Sequence, residues 1–498
     1  MNNYYIDSSV ASSGDGTQNN PLKQISDFLS LSNVVLPFTL YLKRGSVFSG
    51  GLSDDGTKFY NTTSEANYIK LYGNGPSPVI TATDDSFCLS FSKVRNLISD
   101  PLILIGSMVK SALANVSPCM VSGDNNTNVW LNDWEFHSVG GRQQAWQPAL
   151  WMSANNAVLG NAGYFGLNNP KFFGTSRGAW VMGISDMPAD ATDNNGDNYC
   201  GYGIRVTNPA FVDVGGDGII MSNATSKEDP KSYSDADIIA NPDFSGVVNP
   251  SFSSTRVDFQ ATASVNHWVS NCKKVFFIAP TTNGSIGSQY GIDKQSVDFD
   301  ILCHSCLISG GYSRNASGWL LTSNYSAQVK AKPDGVTAFD WYYTQGWGNK
   351  NNTIRNSISF NDGCQGGRPK ILLQGYTYNL MVENCVIIDT VSPSVDLILM
   401  FGDGGAMYPL TNGVYACVLT GVTFYAPNAA SISLLHSGSD SGASALVQAT
   451  GCNLYASEGI TPVWPASVDS SANESSDPGF INLPSSSPTM DYAFANLL

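Results

Sequence analysis

Short β-branched runs recur through the second half of the chain, each broken after a few residues by Asn, Gly or Asp, at a spacing near one turn of a stacked parallel coil. KKVFFI, VDFDILCHSCLISGG, NNTIRNSISFNDG, ILLQGYTYNLMVENCVIIDT, VDLILMFGDGG and GVYACVLTGVTFYAP are successive units, preceded by the stretch from Ser253 to Cys272. Apolar and polar residues alternate within each unit and stop at a turn residue, which is the signature of strands and not of helices. No unit of this size can bury its own apolar face. Stacking one on the next buries a continuous core and sets equivalent side chains about 4.8 Å apart along the stack. Polar residues that recur at the same place then form a row, a shape suited to holding an extended polymer.

The chain has 498 residues, of which 13% are charged and 48 are Gly. That profile fits many short strands joined by polar turns and argues against helical bundles and coiled coils. Formal net charge is -15 and no Lys/Arg cluster is present, which disfavours nucleic acid and anionic membranes as partners. No stretch approaches the roughly 18 apolar residues of a membrane span, and the start MNNYYIDSSV has neither a basic nor an apolar leader segment. A soluble chain is expected, and export is compatible with it. Cys272, Cys385, Cys417 and Cys452 lie near or in strands and are expected as reduced, buried thiols. Cys303 and Cys306 fall in an alternating run, so one should face in and the other out, unlike a redox loop.

The N-terminal part carries the motifs Tyr4-Tyr5-Ile6-Asp7, Ser13-Gly14-Asp15-Gly16-Thr17, Asn20-Pro21-Leu22-Lys23-Gln24-Ile25, Lys43-Arg44-Gly45-Ser46-Val47-Phe48 and Leu71-Tyr72-Gly73-Asn74-Gly75. Together they resemble the opening of right-handed parallel β-helix, pectate-lyase-like proteins that act on polysaccharides. Gly215-Gly216-Asp217-Gly218-Ile219, Pro333-Asp334-Gly335, Ala338-Phe339-Asp340 and Asn351 to Asn356 look like further coils, and Asp477-Pro478-Gly479-Phe480 with Ser487-Pro488 and Asp491 is similar to the way such domains close. The resemblance implies an all-β, right-handed single-stranded parallel β-helix solenoid with a short N-terminal capping helix and long loops. It also implies a secreted or virion-attached, extracellular polysaccharide-active protein of the secreted-enzyme or phage-tailspike kind. A homotrimer is the assembly common to such tailspikes, although no separate trimerisation tail is evident. The scaffold does not fix the reaction, because hydrolases, lyases and adhesins share it. Neither a GDD triplet nor a paired-Asp lyase arrangement with a following Arg is present.

Three segments follow from this reading: 1–100 with the capping helix (Pro21 to Leu31) and first coils, 101–464 with long loops forming a glycan groove, and 465–498 closing the stack. The helix would cover edge strands that would otherwise pair with other chains.

Glycosidic hydrolysis needs one protonated and one ionised carboxyl. Asp340 and Asp362 are the first candidate pair, since their separation is close to one coil; Asp213 and Asp217, in the open glycine-rich VDVGGDGII, are the second. Either pair could equally be ordinary turn aspartates. Asp258 and His267 form a third group, with His267 as a base beside Trp268. Glu135 has Trp134, His137 and Arg142 around it, a local mix of acid, base, cation and aromatic. Trp341, Tyr343 and Trp347, together with Tyr342, make an aromatic wall next to Asp340 that suits sugar C–H faces. A lyase would instead need a base and a cation against a uronate carboxylate, for which His267, Tyr290, Lys294, Arg314 and Arg368 are candidates. These are scattered and the chain is acidic, so a hydrolase is preferred to a lyase, with a non-catalytic glycan-binding adhesin as the third alternative. No cofactor is expected: Asp193 to Asn198 offers calcium-type oxygen ligands but lacks the glycine and distal glutamate of a full loop.

Overall fold

The computed structural model describes residues 2 to 480 apart from 107–120, 140–147, 154–164, 183–203, 213–218, 223–266, 284–294, 364–368, 403–412 and some shorter segments. Within that set the protein is nearly all β, with parallel pairing throughout the sheets. One sheet has 13 strands, a second 12, two have 6 and a short one has 2. The chain visits them in rotation. Phe38–Lys43 joins the 13-stranded sheet, Val47–Ser49 a 6-stranded sheet and Leu52–Asp54 the 12-stranded sheet, after which Asn67–Tyr72 returns to the first. Each return pairs with the previous visit, as Thr39↔Tyr68 and Leu40↔Ile69 show. The six-stranded sheet from the N-terminal half ends at Ala210–Val212, and the other begins at Thr281–Asn283.

Alternation within each strand sends one set of side chains into a single shared core. Leu40, Leu97, Val129, Leu167, Val206, Ile308, Ile354, Val382, Leu419 and Ala449 are all core residues, contributed by successive members of the 13-stranded sheet. In-register pairing also stacks like on like. Phe136 lies over Phe172 at 4.9 Å and 10°, and Tyr425 over Tyr455 at 5.4 Å and 11°. The corners are made by asparagine. Asp133 and Asn169 repeat at the same corner with φ of 54° and 52°, and Asn169 Nδ2 donates to Asp133 Oδ1 at 2.9 Å. Short polar side chains tolerate this left-handed backbone and bond to the next turn, which explains the Asn punctuation.

The capping helix is shorter than expected, Ile25–Leu29. Its start is fixed by the Gln24 N–H donating to Asp27 Oδ2 at 2.9 Å, while Leu22 is held extended against Ile6 and Tyr5. Ile25 and Phe28 enter the core, where Phe28 meets Phe38 edge-on at 5.1 Å.

The cysteine expectation needs a correction at the C-x-x-C. Cys303 and Cys306 are both buried in the core, at 0% and 1% exposure, and precede the strand, which begins only at Leu307–Ser309. Both backbone amides are received by buried asparagines: Cys303 N–H donates to Asn349 Oδ1 and Cys306 N–H to Asn352 Oδ1. Cys88, Cys385, Cys417 and Cys452 are likewise buried and free, and burial pushes the Cys385 thiol up to about 12. Cys272 lies outside the described residues.

Candidate functional site

The outer face of the 12-stranded sheet carries a row that the sequence pattern alone did not reveal. Strand pairing aligns Ser122 with Trp151, Trp151 with Trp180, Trp180 with Ile220, Ile220 with Trp268, Trp268 with Asp298 and Asp298 with Leu321. The flanking residues Leu150, Met152, Ile219, Val297, Phe299 and Leu320 all belong to the core, so this row occupies the opposite, outward parity. Trp151 is half-buried there. Asp298 is only 3% exposed, although it sits on the outer face of a sheet. Two residues further along the same strands runs a second outward row, in which Ser153, Met182, Ser222, Ser270, Asp300 and Ser323 are aligned in turn. The two rows of backbone positions lead to Asp298 and Asp300, which share one parity of the strand Gln295–Asp300. In strand geometry, residues two apart have Cα atoms about 6.6 Å from each other.

Register also separates the expected His267 and Trp268. His267 aligns with Ile219 and Val297, both core residues, whereas Trp268 falls in the outward row between Ile220 and Asp298.

Asp340 and Asp362 are not brought to equivalent places. Asp340 is exposed at the start of the π-helical turn Asp340–Thr344 and accepts from the Thr337 hydroxyl at 2.6 Å, a local capping arrangement. Asp362 is fully buried just beyond the strand Ile358–Phe360, accepts from the Ser359 hydroxyl at 2.7 Å and offers its backbone carbonyl to Lys370 Nζ. The partner of Phe360 one turn on is Ile388, so the position stacked on Asp362 belongs to the 388–390 corner and not to the excursion that carries Asp340. Separation in sequence misled here because the excursion before Asn349–Lys350 lengthens that coil.

The aromatic wall next to Asp340 is mostly internal. Trp341 and Trp347 stack on each other at 5.2 Å and 14° with 5% and 0% exposure, and Tyr342 stacks on Tyr376. Only Tyr343 is half-exposed, with Lys350 Nζ 5.7 Å from its ring centroid. Trp134 is also buried, its indole N–H shared between Ser99 Oγ and the Asp100 carbonyl, each at 3.1 Å. A five- or six-membered sugar would find no face on these three indoles.

Glu135 lies on the outer face of the N-terminal six-stranded sheet, where Lys171 is its register partner. Its carboxylate meets His137 Nε2 at 3.2 Å and Lys171 Nζ at 2.9 Å, and these two partners hold it down to about 2 against the burial that opposes them. A carboxylate so firmly ionised cannot donate a proton near neutrality. His137 stacks on Phe173 at 4.3 Å. Arg142, Asp213, Asp217, Lys294, Arg368, Asp258, Tyr290 and the Asp193 to Asn198 segment lie outside the described residues.

Two further titratable clusters went unnoticed in the sequence. Lys370 and Asp389, 1% and 0% exposed, form an ion pair at 2.5 Å; Asp389 also accepts from the amides of Val391 and Ser392 and from the Ser392 hydroxyl. Burial pushes the Asp389 carboxyl up, but the Lys370 charge and these donors outweigh it and leave it below the usual range. At the C-terminal end of the 12-stranded sheet, His436 Nε2 lies 3.7 Å from Asp396 Oδ2 while its Nδ1 accepts the Gly438 amide at 2.8 Å. Burial raises Asp396, partly opposed by His436, and with both ring nitrogens directed at protein groups the histidine has none left over for a substrate.

Among the described residues, no group of three or more His, Cys, Asp or Glu is placed to hold a metal ion, and no helix is long and apolar enough to cross a membrane. No family model and no curated protein matches the chain. Solved structures similar to it include the GH136 lacto-N-biosidase from Eubacterium ramulus, at 15% identity over 93% of this chain and 68% of that one, with a TM-score of 0.42. A rhamnogalacturonan lyase is 11% identical over 96% of this chain and 87% of that one, with a TM-score of 0.41. The catalytic domain of a GH87 alpha-1,3-glucanase in complex with nigerose is 10% identical over 94% and 69%, with a TM-score of 0.42.

Proposed function

We propose that the protein is a right-handed parallel β-helix that binds a polysaccharide across the outer face of its 12-stranded sheet and hydrolyses a glycosidic bond at Asp298 and Asp300. The rotation of the chain through successive parallel sheets supports the architecture, and parallel crossovers are right-handed in nearly all proteins. The observation that carries the function is the register that sets Trp151, Trp180 and Trp268 in one outward row with Asp298. Successive rungs about 4.8 Å apart give that row the repeat of an extended chain of sugars, whose C–H faces pack on aromatic rings.

Asp298 and Asp300 supply the two carboxyls that hydrolysis requires, one to protonate the departing oxygen and one to activate water. Glu135 contributes no proton, since its cation-paired carboxylate stays ionised. A fold of this kind without catalysis would be an adhesin using the same row.

The test is release of new reducing ends from bacterial exopolysaccharides, capsular polysaccharides and plant glycans by wild type, Asp298→Asn and Asp300→Asn. Activity lost in both variants, with glycan binding kept, supports the reading. Full turnover in either variant refutes the site, and a product with an unsaturated uronate end refutes hydrolysis in favour of elimination.

A further inference from the structure

We infer that Lys350 is a binding point for the carboxylate of an acidic sugar, at a corner of the coil tied to the strand Gln295–Asp300. The inference adds a subsite to the proposed glycan-binding function and rests on that function, but not on Asp298 and Asp300 as catalysts. Asn349 and Lys350 form a short strand and take opposite parities. Asn349 is buried, and its amide donates to the carbonyls of Phe299 at 2.9 Å and Ser323 at 3.1 Å, which anchors the corner to its neighbours. Lys350 turns the other way, against the excursion that contains the π-helical turn Asp340–Thr344. Its Nζ donates to the Tyr343 carbonyl at 3.0 Å and lies 5.7 Å from the Tyr343 ring centroid, within cation–π range.

One neutral acceptor leaves this ammonium short of partners, since the group carries three N–H donors. Among the described residues the lysines paired with a carboxylate are Lys43, Lys171 and Lys370, and Lys350 is not one of them. Asp340, the acid of the same excursion, is bonded to the Thr337 hydroxyl at the start of the turn. Lys350 is nevertheless half-buried, and burial lowers its ammonium below the usual lysine range with no carboxylate to oppose the shift. A charge held out of water without a counter-ion is unfavourable. A ligand carboxylate supplies the missing one through short, charge-assisted hydrogen bonds.

The surroundings suit a sugar bearing that carboxylate. The Tyr343 hydroxyl accepts from Asn379 Nδ2 at 3.4 Å and keeps its own proton to donate to a sugar oxygen. Tyr343 is half-exposed, with the Phe339 ring 4.9 Å away, so an apolar aromatic surface adjoins the cation and can pack on sugar C–H groups.

Competitive footprinting of the full-length wild type tests the inference. Lysines are acetylated with limiting acetic anhydride in the presence of uronate disaccharides from pectate, alginate or hyaluronan, of neutral galactobiose or maltose, or of acetate, and the acetylated sites are mapped by mass spectrometry. The expected result is that at least one uronate disaccharide slows acetylation of Lys350 by about tenfold at saturation, while Lys332, exposed on the same excursion, is unchanged and the neutral sugars and acetate protect far less. In titration calorimetry Lys350→Met should weaken binding of that disaccharide by about tenfold or more. A lysine that only caps the Tyr343 carbonyl would show neither effect. Protection by none of the uronates, or failure of the small reagent to reach Lys350 at all, overturns the inference. Equal protection by acetate or by the neutral disaccharides overturns it too, the first by removing the sugar and the second by removing the carboxylate. Turnover is not read, so a failed footprint leaves hydrolysis at Asp298 and Asp300 standing, and a failed hydrolysis assay leaves a positive footprint standing.

Discussion

Replacing Lys370 by Met gives the sharpest test of how the polar corners hold this stack together. Lys370 is 1% exposed and its ammonium is bound by the Asp389 carboxylate and the Asp362 carbonyl. Methionine keeps most of the volume, so the change removes a charge and its bonds more than it opens a cavity. Asp389 is then left buried and ionised without its counter-ion. Breaking one side of a buried pair costs about 3–5 kcal/mol. The lower end applies here, because the amides of Val391 and Ser392 and the Ser392 hydroxyl remain to stabilise the carboxylate.

The pH dependence carries the sign. In the wild type the folded Asp389 carboxyl lies below its ordinary range, so its contribution is present above the unfolded value of about 3.9 and lost as pH falls through the folded one. Without Lys370, burial dominates and raises the carboxyl, so its penalty is largest near neutrality and is relieved as the group takes up a proton. The stability gap between wild type and variant should therefore be about 3 kcal/mol near pH 7 and narrow towards about pH 4. Urea unfolding across that range, with hydrogen exchange at the Val391 and Ser392 amides as a local probe, measures it. The double variant Lys370→Met/Asp389→Asn should recover part of the loss at neutral pH. A gap below about 1 kcal/mol, or one that does not change with pH, would refute the reasoning.

Glu135→Gln should cost about 1 kcal/mol near neutrality, since Lys171 is 40% exposed, and should flatten the stability profile between about pH 4 and the Glu135 value of about 2, where the wild type loses the benefit of its depressed carboxyl. Acid unfolding curves that superimpose for the two proteins would contradict this. Gly166→Ala should destabilise by about 1–3 kcal/mol, because an added Cβ would lie 2.0 Å from Cε3 of Trp130, its register partner. Thermal melts of the variant alone and combined with Trp130→Leu give the check; no rescue by the smaller partner would place the cost elsewhere.

How far the sequence could be read depends on the scale of the question. The alternation in VDFDILCH marks Val297 and Phe299 as core residues directly, and Asp298 and Asp300 as the opposite face, so the acids of the candidate site were visible as a pair had the strand been read by parity. The pairing of Asp340 with Asp362 failed because an excursion containing a π-helical turn intervenes, and loop length, not strand pattern, sets the offset between coils. Trp341 and Trp347 were equally beyond reach: an aromatic-rich segment looks the same whether its rings line a groove or pack on each other.

By itself, then, the amino-acid order determined short parallel strands, the asparagines at their corners, buried thiols and a short N-terminal helix, all of which follow from local alternation and turn chemistry within a dozen or so neighbouring residues. Which residues from different coils became neighbours was decided only in three dimensions. Trp151, Trp180, Trp268 and Asp298 share a register row, and Lys370 meets Asp389, because hydrogen bonding between strands far apart in sequence held the rungs in register.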